Sequence, residues 1–146
     1  MKLPSTDRGA IDKLKNHFSK VQIADMDGDL DRDPYTSAAW SGNAFSTGVG
    51  TINWVTDFGL PEIPKLVCLY VIARDLGAAP WVNYIAFKAK VTTTQTSFGA
   101  LVPGNDLENS VQGWVAVADA GTTYYLIVAS GAGTMDIWIR VIAWET

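Results

Sequence analysis

Thr134-Met135-Asp136-Ile137-Trp138-Ile139-Arg140-Val141-Ile142-Ala143-Trp144 changes side-chain character at almost every step. Met135, Ile137, Ile139, Val141 and Ala143 form one apolar row, and Asp136, Trp138, Arg140, Ile142 and Trp144 form the other. A period of two is that of a β-strand, whose successive side chains point to opposite faces. The first row predicts a core face. The second mixes indole rings with charge, and we read Asp136, Trp138, Arg140 and Trp144 as a subunit or ligand contact, because large rings give contact area while the charges still need partners.

Working outward, everything from Thr36 onward has the same texture: short alternating or apolar runs broken by Gly, Pro, Asn and Asp. Strands are predicted near 37–41, 49–56, 65–74, 82–91, 97–102, 112–118, 123–129 and 134–144. The breaks at Gly59-Leu60-Pro61, Gly77-Ala78-Ala79-Pro80, Pro103-Gly104-Asn105-Asp106, Ala120-Gly121 and Gly131-Ala132-Gly133 carry turn chemistry. About eight strands with short connections predict an all-β domain over residues 36–146, a two-sheet antiparallel β-sandwich of jelly-roll type. Gly48-Val49-Gly50 leads into a strand instead of following one, so it is not a dinucleotide fingerprint; Ser130-Gly131-Ala132-Gly133 reads as a hairpin turn.

Residues 1–35 differ, and we read them as an N-terminal arm. Ser5, Thr6 and Asp7 offer caps for a helix in which Ile11, Leu14, Phe18 and Val21 follow at intervals of three, four and three, one apolar seam on a charged segment. So short a helix is marginal alone, so the seam needs a partner: the domain's own sheet, symmetry copies of the chain, or a larger assembly. After it come Asp25, Asp27, Asp29, Asp31 and Asp33 at alternate positions. Such spacing is a weak candidate for a calcium site, but an EF-hand frame begun at Asp25 puts Leu30 at the turn glycine and Thr36 at the bidentate acid, so an acidic linker is the expectation.

Composition removes several function classes. The net charge is −4 and the basic residues are scattered apart from Lys13, Lys15 and Lys20, so no nucleic-acid stripe is expected. No run approaches a membrane span and no charged-then-apolar leader opens the chain, so neither a membrane partner nor signal-directed export is expected. The lone Cys68 lies in an apolar run as a small hydrophobe, and the lone His17 sits on the arm, which leaves no Ser/His/Asp, Cys/His or paired-His constellation. Asp57, Glu62, Asp75, Asp106, Glu108, Asp119 and Asp136 are available for paired-carboxylate chemistry, yet most sit at turns that favour acids anyway. The expectation is a protein that is not an enzyme and carries no cofactor or metal. Its six Trp, five Tyr and five Phe exceed what one small sandwich need bury, which points to binding or assembly. Trp81, after Pro80, and Asn105 mark a possible ligand loop.

Five blocks carry a family resemblance: Phe58-Gly59-Leu60-Pro61 with Lys65-Leu66-Val67; Val71-Ile72-Ala73-Arg74-Asp75; Leu101-Val102-Pro103-Gly104-Asn105-Asp106; Gly113-Trp114-Val115; and Ala129-Ser130-Gly131-Ala132-Gly133-Thr134-Met135-Asp136-Ile137-Trp138-Ile139. In this order they resemble a β-sandwich domain of small structural proteins of tailed bacteriophages and prophages. The Ala143-Trp144-Glu145-Thr146 ending and the acidic run depart from that pattern. The resemblance implies a place on a virion, either as a trimeric decoration (cement) protein on the outside of the head, whose arm seam of Ile11, Leu14, Phe18 and Val21 would attach it to the major capsid protein or another virion protein, or as a receptor-binding tail-fibre tip. It carries no active site. A free carbohydrate-binding module is the third role the aromatic content allows, and the modest length favours the first.

Overall fold

The computed structural model describes residues 21–23, 35–89, 98–118 and 120–146. These carry β1 (Val21–Ile23), β2 (Thr36–Phe45), β3 (Gly48–Asn53), a helix α1 (Trp54–Phe58), β4 (Leu66–Asp75), β5 (Tyr84–Lys88), β6 (Phe98–Leu101), β7 (Asn109–Ala116), β8 (Thr122–Val128) and β9 (Met135–Glu145). The first sheet runs β9-β4-β7, with β1 and β2 sharing the free edge of β9: β1 pairs with Ala143–Glu145 and β2 with Met135–Arg140. The second runs β3-β8-β5-β6. All pairings are antiparallel, so the expected all-β, two-sheet architecture is present.

The core is built largely from the inward rows predicted by alternation, Ala143 excepted. Val67, Leu69, Val71 and Ala73 of β4 and Met135, Ile137, Ile139 and Val141 of β9 are buried, and they join Ile52, Ile85, Phe87 and Ile127 of the second sheet in one cluster. Each large side chain removed from water contributes about 1.5–3 kcal/mol. Trp54 and Phe58 close one end of the cluster; the Trp54 indole donates from Nε1 to Thr123 Oγ1 at 2.8 Å, and that hydroxyl donates onward to Ala116 O at 3.1 Å.

Three expectations need correction here. The strand expected over 49–56 ends at Asn53, because Asn53 Oδ1 accepts the amides of Val55 and Thr56, while Asp57 accepts the Asn53 amide at 2.8 Å; these reciprocal caps start a helix, and Gly59 at φ 74° ends it. Val21, expected on the helical seam, lies in β1, where it pairs with Glu145 at the end of β9. The segment from Ser130 to Gly133 is not a hairpin turn, since β8 and β9 belong to different sheets and the turn crosses between them. Cys68 is buried, as expected of a small hydrophobe, and lies on the outer side of the first sheet opposite Trp114 and Ala143, with Gln112 Nε2 at 3.9 Å. Burial pushes its thiol pKa up, and the Gln112 hydrogen bond offsets only part of this.

Asp75 is fully buried at the end of β4, and its carboxylate accepts the Ser130 amide and hydroxyl, both at 2.7 Å. Asp75→Ala strands the Ser130 amide, so we expect urea denaturation to show a loss of about 3 kcal/mol. A second expectation concerns Cys68: at pH 8 the native thiol reacts with a disulfide reagent at least about tenfold more slowly than in denaturant, being both covered and less ionised.

Candidate functional site

The outer face of the first sheet is laid out by register, because directly paired residues share a face. Asp136 lies opposite Arg74, Trp138 opposite Ile72, and Arg140 opposite Tyr70. Arg74 Nη2 meets Asp136 Oδ2 at 2.7 Å and its Nε lies 3.6 Å from Asp106 Oδ1, while the guanidinium carbon stands 5.7 Å from the Trp138 ring centroid. Three of the four residues read as a contact surface, Asp136, Trp138 and Arg140, therefore do share one face.

Trp144 does not. Between Cys68, paired with Ala143, and Leu69, paired with Val141, β9 carries one extra residue, Ile142. This β-bulge reverses the alternation: it turns Trp144 inward opposite Val67 and moves Ala143, expected on the core row, to the outer side opposite Cys68. There it is 4% exposed and meets Tyr35 edge-on at 5.0 Å, and its Nε1 has no hydrogen-bond partner among the described residues. The sequence signal was the run Val141-Ile142-Ala143-Trp144, apolar at four successive positions where alternation should hold.

A second irregularity makes a groove. Thr36 pairs with Arg140 and Ser41 with Trp138, so β2 places Ser37, Ala38, Ala39 and Trp40 against the single residue Ile139. The slack segment stands away from β9 and encloses about 380 Å³ above Ile139, between Ser37, Trp40 and Ser41 on one side and Tyr70, Trp138 and Arg140 on the other. It is clamped by Asn43, whose Nδ2 donates to Ala38 O at 3.0 Å and Ala39 O at 3.1 Å. Trp40 turns down into the core, stacked on Phe45 at 4.9 Å and edge-on to Tyr125. Gly42, at φ 78°, ends the slack segment against the Trp138 indole; a Cβ there would lie 2.6 Å from the ring.

The third feature is one end of the sandwich. The β4–β5 and β6–β7 loops are tied by Trp81 N–H to Val102 O (3.0 Å), Val102 N–H to Asn83 O (2.8 Å), Asp106 N–H to Asp75 O (3.0 Å) and Gly77 N–H to Asn105 Oδ1 (2.6 Å). Trp81 and Asn105 thus sit on loops that the fold brings together, with Asn105 holding the other loop in place. Trp81 has φ 62° and Asp106 φ 53°. A bulky residue in the left-handed region is strained and held there by its surroundings. Leu76, Trp81, Val82, Leu101 and Leu107, all at this end, are between 43% and 62% exposed. Nothing in the sequence groups these five, which come from loops and a strand end far apart in the chain.

Ile11, Leu14 and Phe18 of the attachment seam, and Asp25, Asp27, Asp29, Asp31 and Asp33, lie outside the described residues. Among the described residues no three His, Cys, Asp or Glu side chains are grouped to hold a metal ion, and no helix is long and apolar enough to cross a membrane. No protein-family model matches the chain, and no curated protein sequence matches it.

Gly42→Ala tests the link between the bulge and Trp138. Strain at a positive φ and the approach to the indole both act against it, so we expect a stability loss of about 1–3 kcal/mol and a changed tryptophan near-UV signal, with the sandwich still folded.

Proposed function

We propose that this protein is a structural component of a tailed-bacteriophage virion, a decoration protein of jelly-roll fold that stands on the outside of the head as a homotrimer and binds the major capsid protein. The strand order supports the fold: β2-β9-β4-β7 facing β3-β8-β5-β6 is the order that two interlocked Greek keys generate, a design used by viral coat and lectin domains. Fold alone does not carry the role.

The observation that carries it is the loop end. Five exposed apolar side chains, Leu76, Trp81, Val82, Leu101 and Leu107, stand there around loops locked by backbone hydrogen bonds. A rigid apolar end loses little entropy on docking and suits a fixed protein surface such as a shell. For the trimer contact the second sheet is the better candidate. Its outer rows include Val49 opposite Leu126 and Val128 opposite Tyr84, and Val49 is 72% exposed, whereas the outer face of a solvated antiparallel sheet is normally polar. On the first sheet, Asp136 and Trp138 already have Arg74 as a partner within the chain.

Trp81 at positive φ favours a second reading, a tail-fibre tip that presents the same loop end to a host-surface receptor.

The test uses two variants. Light scattering of the unaltered protein should give about three times 15.8 kDa, and Val49→Glu should shift it toward the monomer. Trp81→Ser with Leu107→Asp should leave the trimer intact and reduce co-sedimentation with undecorated heads at least about tenfold, since buried aromatic anchors dominate such contacts. Full binding by the double variant sinks the decoration role. Loss of adsorption to host cells, with head binding unchanged, would favour the fibre tip.

A further inference from the structure

We propose that the groove beneath the slack segment of β2 is a saccharide site that takes one pyranose unit of a glycan. The inference rests on the groove itself and not on the virion assignment above.

Size is the first argument. About 380 Å³ is at the small end of the range for ligand sites, enough for one substituted sugar ring and too little for an extended chain.

Lining chemistry is the second. A pyranose is amphipathic, with an apolar C–H face and a rim of hydroxyls that both donate and accept. The groove has the complementary parts among its lining residues: the apolar Ile72, the aromatic Tyr70 and Trp138, and the hydroxyl-bearing Ser37, Ser41 and Tyr70. Each of those hydroxyls can donate and accept. The competing ligand classes fit less well. A polyphosphate would meet one guanidinium, Arg140, in a chain of net charge −4. A purely apolar ligand would desolvate the serine and tyrosine hydroxyls without giving them partners.

Construction is the third argument. The groove exists because β2 places four residues against one of β9, and this departure from regular pairing is held at both ends. The Asn43 side-chain amide donates to the carbonyls of both Ala38 and Ala39, and Gly42 accepts a left-handed conformation that lets the Trp138 indole lie against it. Arg74, itself paired with Asp136, covers the indole ring and holds it as a wall. Bulges that re-aim side chains next to binding sites are recurrent devices, and a preformed wall reduces the ordering cost of a small ligand.

The probes are glucose, galactose, N-acetylglucosamine and glucuronic acid, each titrated to about 50 mM into the isotope-labelled full chain while amide and indole N–H shifts are followed, because single-sugar sites are weak, near millimolar. The expected result is a saturable shift of the Trp138 indole N–H and of the Ser37, Ser41 and Tyr70 amides with at least one sugar. Tyr70→Ala should weaken that sugar about tenfold, and Trp81→Ala should leave it unchanged. If Tyr70→Ala does not fold, Tyr70→Phe and Ser41→Ala, which keep the packing, should each weaken binding at least about threefold by removing one hydroxyl. The proposal is overturned if none of the four sugars shifts these signals, if the shifts centre on Trp81 and Asn105, or if they persist at full affinity in the Tyr70 and Ser41 variants.

Discussion

The ladder between β4 and β9 decides the orientation of nearly every residue of interest. β4 is paired along its whole length, from Leu66 to Asp75, with β9 on one side, and from Leu66 to Ala73 with β7 on the other. Because paired residues share a face, burying Val67, Leu69, Val71 and Ala73 commits Ile137, Ile139 and Val141 to the core and Asp136, Trp138 and Arg140 to the outside. A slip of one residue would exchange the two sets and place the Asp136 carboxylate and the Arg140 guanidinium among aliphatic side chains. The cost of burying charge therefore fixes the register as firmly as the gain from burying Ile137 and Ile139.

Both irregularities of β9 follow from what its neighbours can tolerate. On the β4 side, the extra residue Ile142 lets the last turn of the strand rotate Trp144 into contact with Tyr35. On the β2 side, the mismatch is larger and leaves space instead of filling it. A gap of that kind beside a ladder would ordinarily be closed by sliding the strand. Here Trp40 is anchored between Phe45 and Tyr125 in the core, and Asn43 binds the two carbonyls that the bulge frees, so sliding would break both sets of contacts. The groove on the outer face is the counterpart of that anchoring inside.

Asp75 organises the loop end in a comparable way. Its carboxylate holds the start of the β8–β9 connection through Ser130, and its carbonyl accepts Asp106 from the β6–β7 loop. One buried residue thus joins three segments, and the apolar side chains on them are displayed on a rigid base. Leu76, Trp81 and Leu107 stand exposed on these tied segments.

By itself the sequence determined the all-β class, most strand positions and the buried row of β9, because a period of two combined with turn residues depends only on backbone geometry and the cost of exposing apolar surface. It also marked Asp136, Trp138 and Arg140 as one outward set. What it did not determine were the breaks in that period. Asn53 and Asp57 carried a legible helix cap inside an expected strand, and the apolar run Val141-Ile142-Ala143-Trp144 marked where alternation fails, but not that Ile142 is the extra residue. The inward turn of Trp144, the groove beside Ile139 and the meeting of the Trp81 and Asn105 loops were decided by tertiary structure alone. Each depends on how two or three strands distant in the chain share residues across a ladder, and that count appears only when the strands are paired.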